Sequence, residues 1–303
     1  MKASLPAWLH VHPEVREALE SGWPVVALES AVITHGLPRP INLELARRME
    51  AEVRKAGATP ATTSVFAGEI RLGLSAEELE VLALDINVEK LARRDLAAAR
   101  VGGRWGGTSV SAALYIAHAG GVQILATGGI GGVHRGQTGD VSADLPELAR
   151  TPVAVVCSGA KAILDLPRTL EWLETAGVPV FGYRTDEFPA FFAGGSGLAL
   201  GVNVETPTMA ARLLRSHWEL APGCAALICV PCPKSDALTL AEVEDHLAMA
   251  EADAERRSVR GPALSPFLLA ALAEQTSGQT LKANLALLRN NARVAAEIAL
   301  ALG

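Results

Sequence analysis

The sequence predicts an α/β protein: a three-layer α/β/α sandwich around a mixed, largely parallel sheet, with a helical C-terminal part. Short apolar runs such as PVVAL and PVAVVCSG alternate with amphipathic stretches, the pattern of strand–helix units. Half of the 303 residues are hydrophobic and a fifth are charged, a globular balance. Residues 238–303 carry helical periodicity with few breaks. Aromatics make up only 4% of the chain, so the core has to be built from Ala, Leu and Val.

Along the chain, residues 24–28 (PVVAL) read as a buried strand and 29–40 as a loop marked by Gly36, Pro38 and Pro40. Asn42 is placed to cap a helix over 43–57, whose Leu43, Ala46, Met49 and Val53 share one face. TTSVFAGEIRLGL (62–74) reads as a hairpin turning near Gly68, and Ser75 with Glu78 forms a capping box for the next helix. A helix over 109–121, a strand over 122–129, a strand over 152–159, a helix over 160–177 and a strand over 178–183 follow. The last strand is 224–231, and the helices after 238 are separated by a loop at 261–267 and a turn at 277–280. No internal repeat or low-complexity linker divides the chain, so one domain over 1–303 is preferred to a division near residue 205.

Composition excludes several functions. A net charge of −6 opposes non-specific nucleic-acid binding, which needs a positive field. The most apolar stretch, 112–132, is interrupted by His118, Gln123 and Thr127 and is too broken for a membrane span. The N-terminus lacks the apolar run of a secretory signal, and four cysteines do not make a disulfide scaffold. These features fit a bacterial-type cytoplasm.

The candidate chemistry gathers in a few places. The glycine-rich loop 128–140 (GGIGGVHRGQTGD) follows a strand and is trailed by polar residues: His134, Arg135, Asp140, Ser142 and Asp144. Such loops let backbone amides approach an anion, although strand-end turns are also glycine-rich for steric reasons alone. Lys161, one of only six lysines, follows the strand 152–159 among small and apolar residues. It is either a desolvated amine of lowered pKa able to attack a carbonyl-type carbon, or a helix-start lysine reaching to water. Glu29, at the end of PVVAL and close to His35 in sequence, is either a general acid or a cap. Lys90, Arg93 and Arg94 either meet a phosphate or form a solvated charge run. Asp140 and Asp144, four residues apart, can share a hard cation through oxygen. Cys229 and Cys232 (CVPC) lack a second ligand pair and are read as structural thiols.

The segments VALESAVITHGLPRP, PATTSVFAGEIRLGLS, VEKLARRDL, GGTSVSAALYIAHAGG, ATGGIGGVHRG, DVSADLPELA, VVCSGAKAILDLPRTLEWLETAGVPVFGY, PAFF, SPFLL and LKANLALLRNNA occur in this order. Together, over residues 25–298, they resemble the pseudouridine-5′-phosphate glycosidases, a family that includes indigoidine synthase A. The resemblance implies cleavage of the C–C bond of pseudouridine 5′-phosphate to uracil and ribose 5-phosphate. It also implies that Lys161 of GAK is the nucleophile, that Glu29 of ALES donates a proton to the ring oxygen, and that Asp144 of SAD assists proton transfer. Asp140 would hold Mn²⁺, while Lys90, Val110, Ser142, Ala143, Asp144, His134 and Asn284 would contact the substrate. A homotrimer and a pseudouridine kinase as functional partner are further implications, with no kinase domain expected within 303 residues. The chain departs from the family at Ala92, where a serine is frequent, in a shorter run before Asp140, and in CVPC, which has no counterpart. Two rival readings are a Schiff-base sugar-phosphate aldolase and a non-catalytic sugar-phosphate or nucleotide binding protein.

Overall fold

The computed structural model describes residues 5–136, 139–221, 223–260 and 264–303. Strand β1 (Leu9–Val11) and helix α1 (Pro13–Ser21) precede β2 (Val25–Leu28), the PVVAL strand. Then come α2 (Ala31–His35), α3 (Ile41–Lys55), β3 (Thr59–Phe66), β4 (Glu69–Leu72) and α4 (Ala76–Leu84). β5 (Glu89–Leu91), a 3-10 turn (Arg93–Asp95), α5 (Leu96–Val101) and β6 (Gly106–Thr108) lead to α6 (Val110–Ala119) and β7 (Ile124–Ala126). The middle of the chain forms β8 (Val133–His134), α7 (Asp144–Leu148), β9 (Ala154–Cys157), β10 (Leu164–Asp165), α8 (Leu166–Thr175) and β11 (Val180–Tyr183). β12 (Asn203–Val204), α9 (Pro207–Leu220) and β13 (Ala226–Cys229) follow, and α10 (Leu240–Arg256), α11 (Leu264–Gln275) and α12 (Gln279–Leu302) come last.

The main sheet runs β1-β4-β3-β2-β7-β9-β13-β11-β12, with β6 beside β3 and β5 beside β6. From β3 through β2 to β12 every pair is parallel, whereas β3 pairs antiparallel with β4 and β6. The sheet is therefore mixed and largely parallel, as the sequence predicts. β2, β3, β9 and β13 are buried at every residue, because helices cover both faces of a parallel sheet. On one face α12 lies against β2, β7 and β9 and between α3 and α9; α6 lies on the other, backed by α7. One continuous apolar core reaches from Leu9 to Ala299 and is dominated by Ala, Val and Leu. Among the described residues, no helix is long and apolar enough to cross a membrane.

The topology fixes where a ligand can bind. From β2 the chain turns to β3 on one side, while β7 occupies the other side. Such a switch point opens a crevice at the carboxyl ends of the strands. Glu29 directly follows β2, Thr127 follows β7, and Ser158 to Lys161 follow β9.

Four local expectations need correction. The supposed loop 29–40 contains α2, because the Glu29 carboxylate accepts from the Val32 amide and supplies the first-turn cap. Asn42 does not cap α3, since Pro40 holds that position; the buried Asn42 amide instead donates to the Ile33 and Ala83 carbonyls. The helix expected over 160–177 begins only at Leu166, where the Asp165 carboxylate accepts from the Arg168 amide. Lys161 therefore sits in a loop rather than at a helix start. The loop expected over 261–267 is helical from Leu264, and 261–263 lie outside the described residues. The hairpin turn at Ala67–Gly68 and the Ser75/Glu78 capping box form as expected.

Candidate active site

Glu29 is 6% exposed and sits between two donors. Its Oε2 accepts from the Val32 amide at 3.0 Å, and its Oε1 accepts from the Thr127 hydroxyl at 3.3 Å. Burial pushes its carboxyl above the usual glutamate range, against the charge of Lys161, the Val32 amide and Lys90, while Asp144 adds to the rise. Lys90, on β5, is exposed to solvent. Desolvation of its ammonium, then the charge of Lys161, pull it below the usual lysine range, against Asp144 and Glu29. Two lysines and two carboxylates from four separate segments thus lie within electrostatic reach of one another. His35 joins their edge, lowered by burial, then by Lys90 and Arg39.

Asp144 is 5% exposed and opens the short helix α7. Its Oδ1 accepts from the Ser111 amide in the first turn of α6, and its Oδ2 from the Gly131 amide, both at 2.9 Å. Gly131 can have no side chain here: a Cβ would lie 2.1 Å from the Ser142 hydroxyl oxygen and 2.9 Å from the Asp144 carboxylate. The Ser142 hydroxyl in turn accepts from the Asp144 amide at 3.2 Å, and half-buried Ala143 leads into α7. Val110 is buried at the first position of α6, so any contact it offers a ligand comes from its backbone.

Lys161 is half-buried, and its amide donates to the Ile130 carbonyl at 3.1 Å, tying its loop to the glycine loop. Just before it, Gly159 takes a φ of +74°, and a Cβ there would meet the Pro189 carbonyl at 2.1 Å. The chain can therefore turn sharply off β9 and aim Lys161 across the strand ends.

The other predicted residues have contacts of their own. His134 and Asp140 are neighbours, with Nε2 and Oδ2 4.0 Å apart, while the His134 amide donates to the Asp140 carbonyl. Both Asp144 oxygens are occupied by the Ser111 and Gly131 amides, whereas Asp140 lies beside His134. Among the described residues, no group of three or more His, Cys, Asp or Glu side chains could hold a metal ion. Asn284, on α12, has a buried side-chain oxygen with no hydrogen-bond partner. The expected Lys90–Arg93–Arg94 unit separates: Arg93 pairs with buried Glu147, and the Arg94 side chain is 81% exposed. Cys229 faces Cys157 across adjacent strands rather than Cys232, and all four cysteines are free. Burial holds the Cys229 thiol well above its ordinary range and raises Cys232 to about 12, as inert structural thiols require. A separate cavity of about 340 Å³, lined by Arg135, Leu164, Asp165, Pro167 and Glu244, contains none of the four charged residues.

Sequence reasoning missed Thr127, Ser111 and Asn291. Fully buried Asn291 donates to the Thr127 carbonyl at 2.9 Å and to the Ser158 hydroxyl at 3.1 Å, joining the ends of β7 and β9. Its signal was available: Asn291 is a polar intrusion on the apolar face made by Leu287, Leu288, Ala295 and Ile298.

The family model described as "Indigoidine synthase A like protein" matches residues 14–301. A protein of Chloroflexus aurantiacus named pseudouridine-5′-phosphate glycosidase is 55% identical, covering 96% of this chain and 97% of its own. A Methylobacterium nodulans protein of the same name is 52% identical, covering 96% of this chain and 87% of its own. Among solved structures, the prealnumycin C-glycosynthase AlnA in complex with ribulose 5-phosphate is similar, with a TM-score of 0.91 and 39% identity over 98% of this chain and 97% of that one. An indigoidine synthase A-like protein from Thermotoga maritima gives a TM-score of 0.88 and 36% identity over 96% and 95% of the two chains. With nearly its whole length matched at these identities, the chain belongs to the indigoidine synthase A-like family.

Proposed function

We propose that this chain is a pseudouridine-5′-phosphate glycosidase, cleaving pseudouridine 5′-phosphate with water to uracil and ribose 5-phosphate. The observation that carries this reading is the meeting of Glu29 after β2, Lys90 on β5, Asp144 at the start of α7 and Lys161 after β9. The names of relatives at 52% and 55% identity point the same way.

The bond to be broken joins two carbons, so protonating a leaving oxygen does not help and two carboxylates alone are insufficient. An amine offers another route. The Lys161 nitrogen bonds to C1′ as the C1′–O4′ bond breaks, and Glu29 delivers its proton to O4′. A carboxyl held protonated by burial suits that donation. Asp144 takes a proton from the alkylated nitrogen, freeing its lone pair, and passes that proton to C5. The lone pair forms the imine at C1′ as the C1′–C5 electrons pass to C5, and water then releases ribose 5-phosphate. Lys90 and the first-turn amides of α6 at Val110 suit the phosphate, with Ser142, Ala143, His134 and Asn284 lining the substrate.

Asp140, whose side chain is 54% exposed, offers a hard oxygen donor, which fits Mn²⁺ retaining most of its water better than a closed protein cage. When bound, such a cation supplies positive charge and ordered water. The same proposal includes a homotrimer, a cytoplasmic setting and a kinase as functional partner, since the substrate's phosphate has to be installed by phosphoryl transfer. A barrel aldolase does not fit, because the sheet is open, ending at β1 and β12, and is not a closed eight-stranded barrel.

The test is to mix the protein with ribose 5-phosphate, uracil and Mn²⁺ and divide the sample. Borohydride-quenched protein is expected to carry a pentose-phosphate adduct on the Lys161 peptide, and the unquenched half to contain pseudouridine 5′-phosphate. An adduct without that product favours an aldolase-like activity. Neither adduct nor product favours the binding protein.

A further inference from the structure

Glu147 is the most enclosed charge near the site, fully buried on α7 one turn after Asp144. Its two oxygens accept from Arg93 Nη1 at 2.7 and 2.9 Å, from Arg150 Nε and Nη2 at 3.0 and 2.7 Å, and from the Thr151 hydroxyl at 2.6 Å. Arg93 arrives from three residues beyond Lys90. Its guanidinium lies 4.3 Å from the centroid of the Tyr115 ring, which is itself stacked on Trp8 at 5.6 Å. Its backbone amide donates to the Ser111 hydroxyl at 3.4 Å.

These contacts close a circuit. Ser111 and Tyr115 both belong to α6; the Ser111 amide holds Asp144; Asp144 and Glu147 share α7; and Glu147 returns to Arg93. A five-residue helix cannot hold its own shape or direction, since helix nucleation is costly. The direction of Asp144 is therefore imposed from outside α7. Stability alone does not account for the pair, because well-packed apolar side chains can often replace a buried ion pair without loss.

We infer that Arg93 and Glu147 are positioning residues for the reaction, a clamp that fixes the Lys90 segment and the Asp144 helix relative to each other. The inference rests on the glycosidase reading above. Breaking the clamp lets two groups that must act on one substrate drift apart, and a displacement of about 1 Å can cost roughly 100-fold in rate. Arg150 takes no part in the circuit: its side chain is 57% exposed and joins Glu147 only to solvent.

The test measures kcat, KM and the pH profile of kcat per folded enzyme, with pseudouridine 5′-phosphate as substrate. The variants are Glu147→Gln, Arg93→Lys, Arg150→Ala and the double replacement Arg93→Leu with Glu147→Leu. Glu147→Gln and Arg93→Lys are expected to lower kcat by about 10- to 100-fold and to shift the pH profile, while Arg150→Ala stays within about twofold of the parent. The double variant removes both charges together, so it is expected to melt close to the parent yet remain slow. A folded double variant with parental kcat and pH profile would overturn the inference and leave the pair a purely structural one. If the double variant does not fold, Arg93→Lys carries the test, and a parental kcat there overturns it equally. An inactive parent that forms no ribose 5-phosphate adduct overturns the glycosidase reading itself, an outcome distinct from an active parent with equally active variants.

Discussion

Glu29 combines two roles that sequence reasoning set against each other. One oxygen caps α2 at Val32, and the same carboxyl is kept protonated upward in pH by burial. As a proton donor it works only while protonated, so activity is expected to fall as pH rises through its raised pKa. Glu29→Gln preserves the shape and can still meet Thr127, but it has no acidic proton. It should lower kcat by about 100-fold or more and remove that alkaline limb, with a smaller change in KM, as a pH–rate series would report. Lys161→Ala removes the amine that bonds to C1′, so both turnover and the borohydride-trapped adduct on that peptide are expected to vanish. Local context made these two residues candidates, but their roles were assigned only through the ALES and GAK motifs. That context left Lys161 balanced between a nucleophile and a solvent-reaching lysine, because sequence cannot show that the helix expected from residue 160 starts only at Leu166. Ser111 was invisible for a different reason: it holds Asp144 with a backbone amide, and every residue except proline has one.

At the level of elements, segments with a helical stripe, an alternation or a continuous apolar run were legible, and short ones without such a signal were not. The hairpin β3–β4 and helices α3, α6 and α12 announce themselves by alternation or by a stripe. β5, β6, β8, β10 and α7 are five residues or shorter, too brief for any period, and their state is decided by the partners they meet. Most of the site hangs on such pieces, which is why its residues were nameable while their arrangement was not. The glycine loop illustrates the point. Gly131→Ala forces a methyl group against Ser142 and Asp144 and must push Asp144 off its two amides. A loss of about 100-fold in kcat is expected, with circular dichroism close to the parent. Asn291→Ala acts from the other side of the sheet by leaving the Thr127 carbonyl and Ser158 hydroxyl without this donor in the interior. A cost of about 1–3 kcal/mol is expected in denaturant unfolding.

Across the whole molecule, the switch point explains why the site lies where it does, and the same central strands explain what the cysteines do. β9 and β13 are adjacent and buried at every residue, and they place Cys157 and Cys229 opposite each other in the middle of the sheet. Cys232 follows β13 and is 2% exposed. Only Cys224, half-buried just before β13, has a route to solvent. Burial raises its thiol as well, so it should react slowly, because the thiolate is the attacking form. Thiol titration of the native protein is therefore expected to detect one slow group per chain, and all four after denaturation. The other three report opening of the core, because Cys157 and Cys229 lie on β9 and β13 and Cys232 lies against Ala283 of α12. Alkylating Cys224 should leave turnover unchanged. A fast loss of activity on alkylation under native conditions would instead place a reactive thiol among Cys157, Cys229 and Cys232, and CVPC would then need a chemical role that its burial argues against.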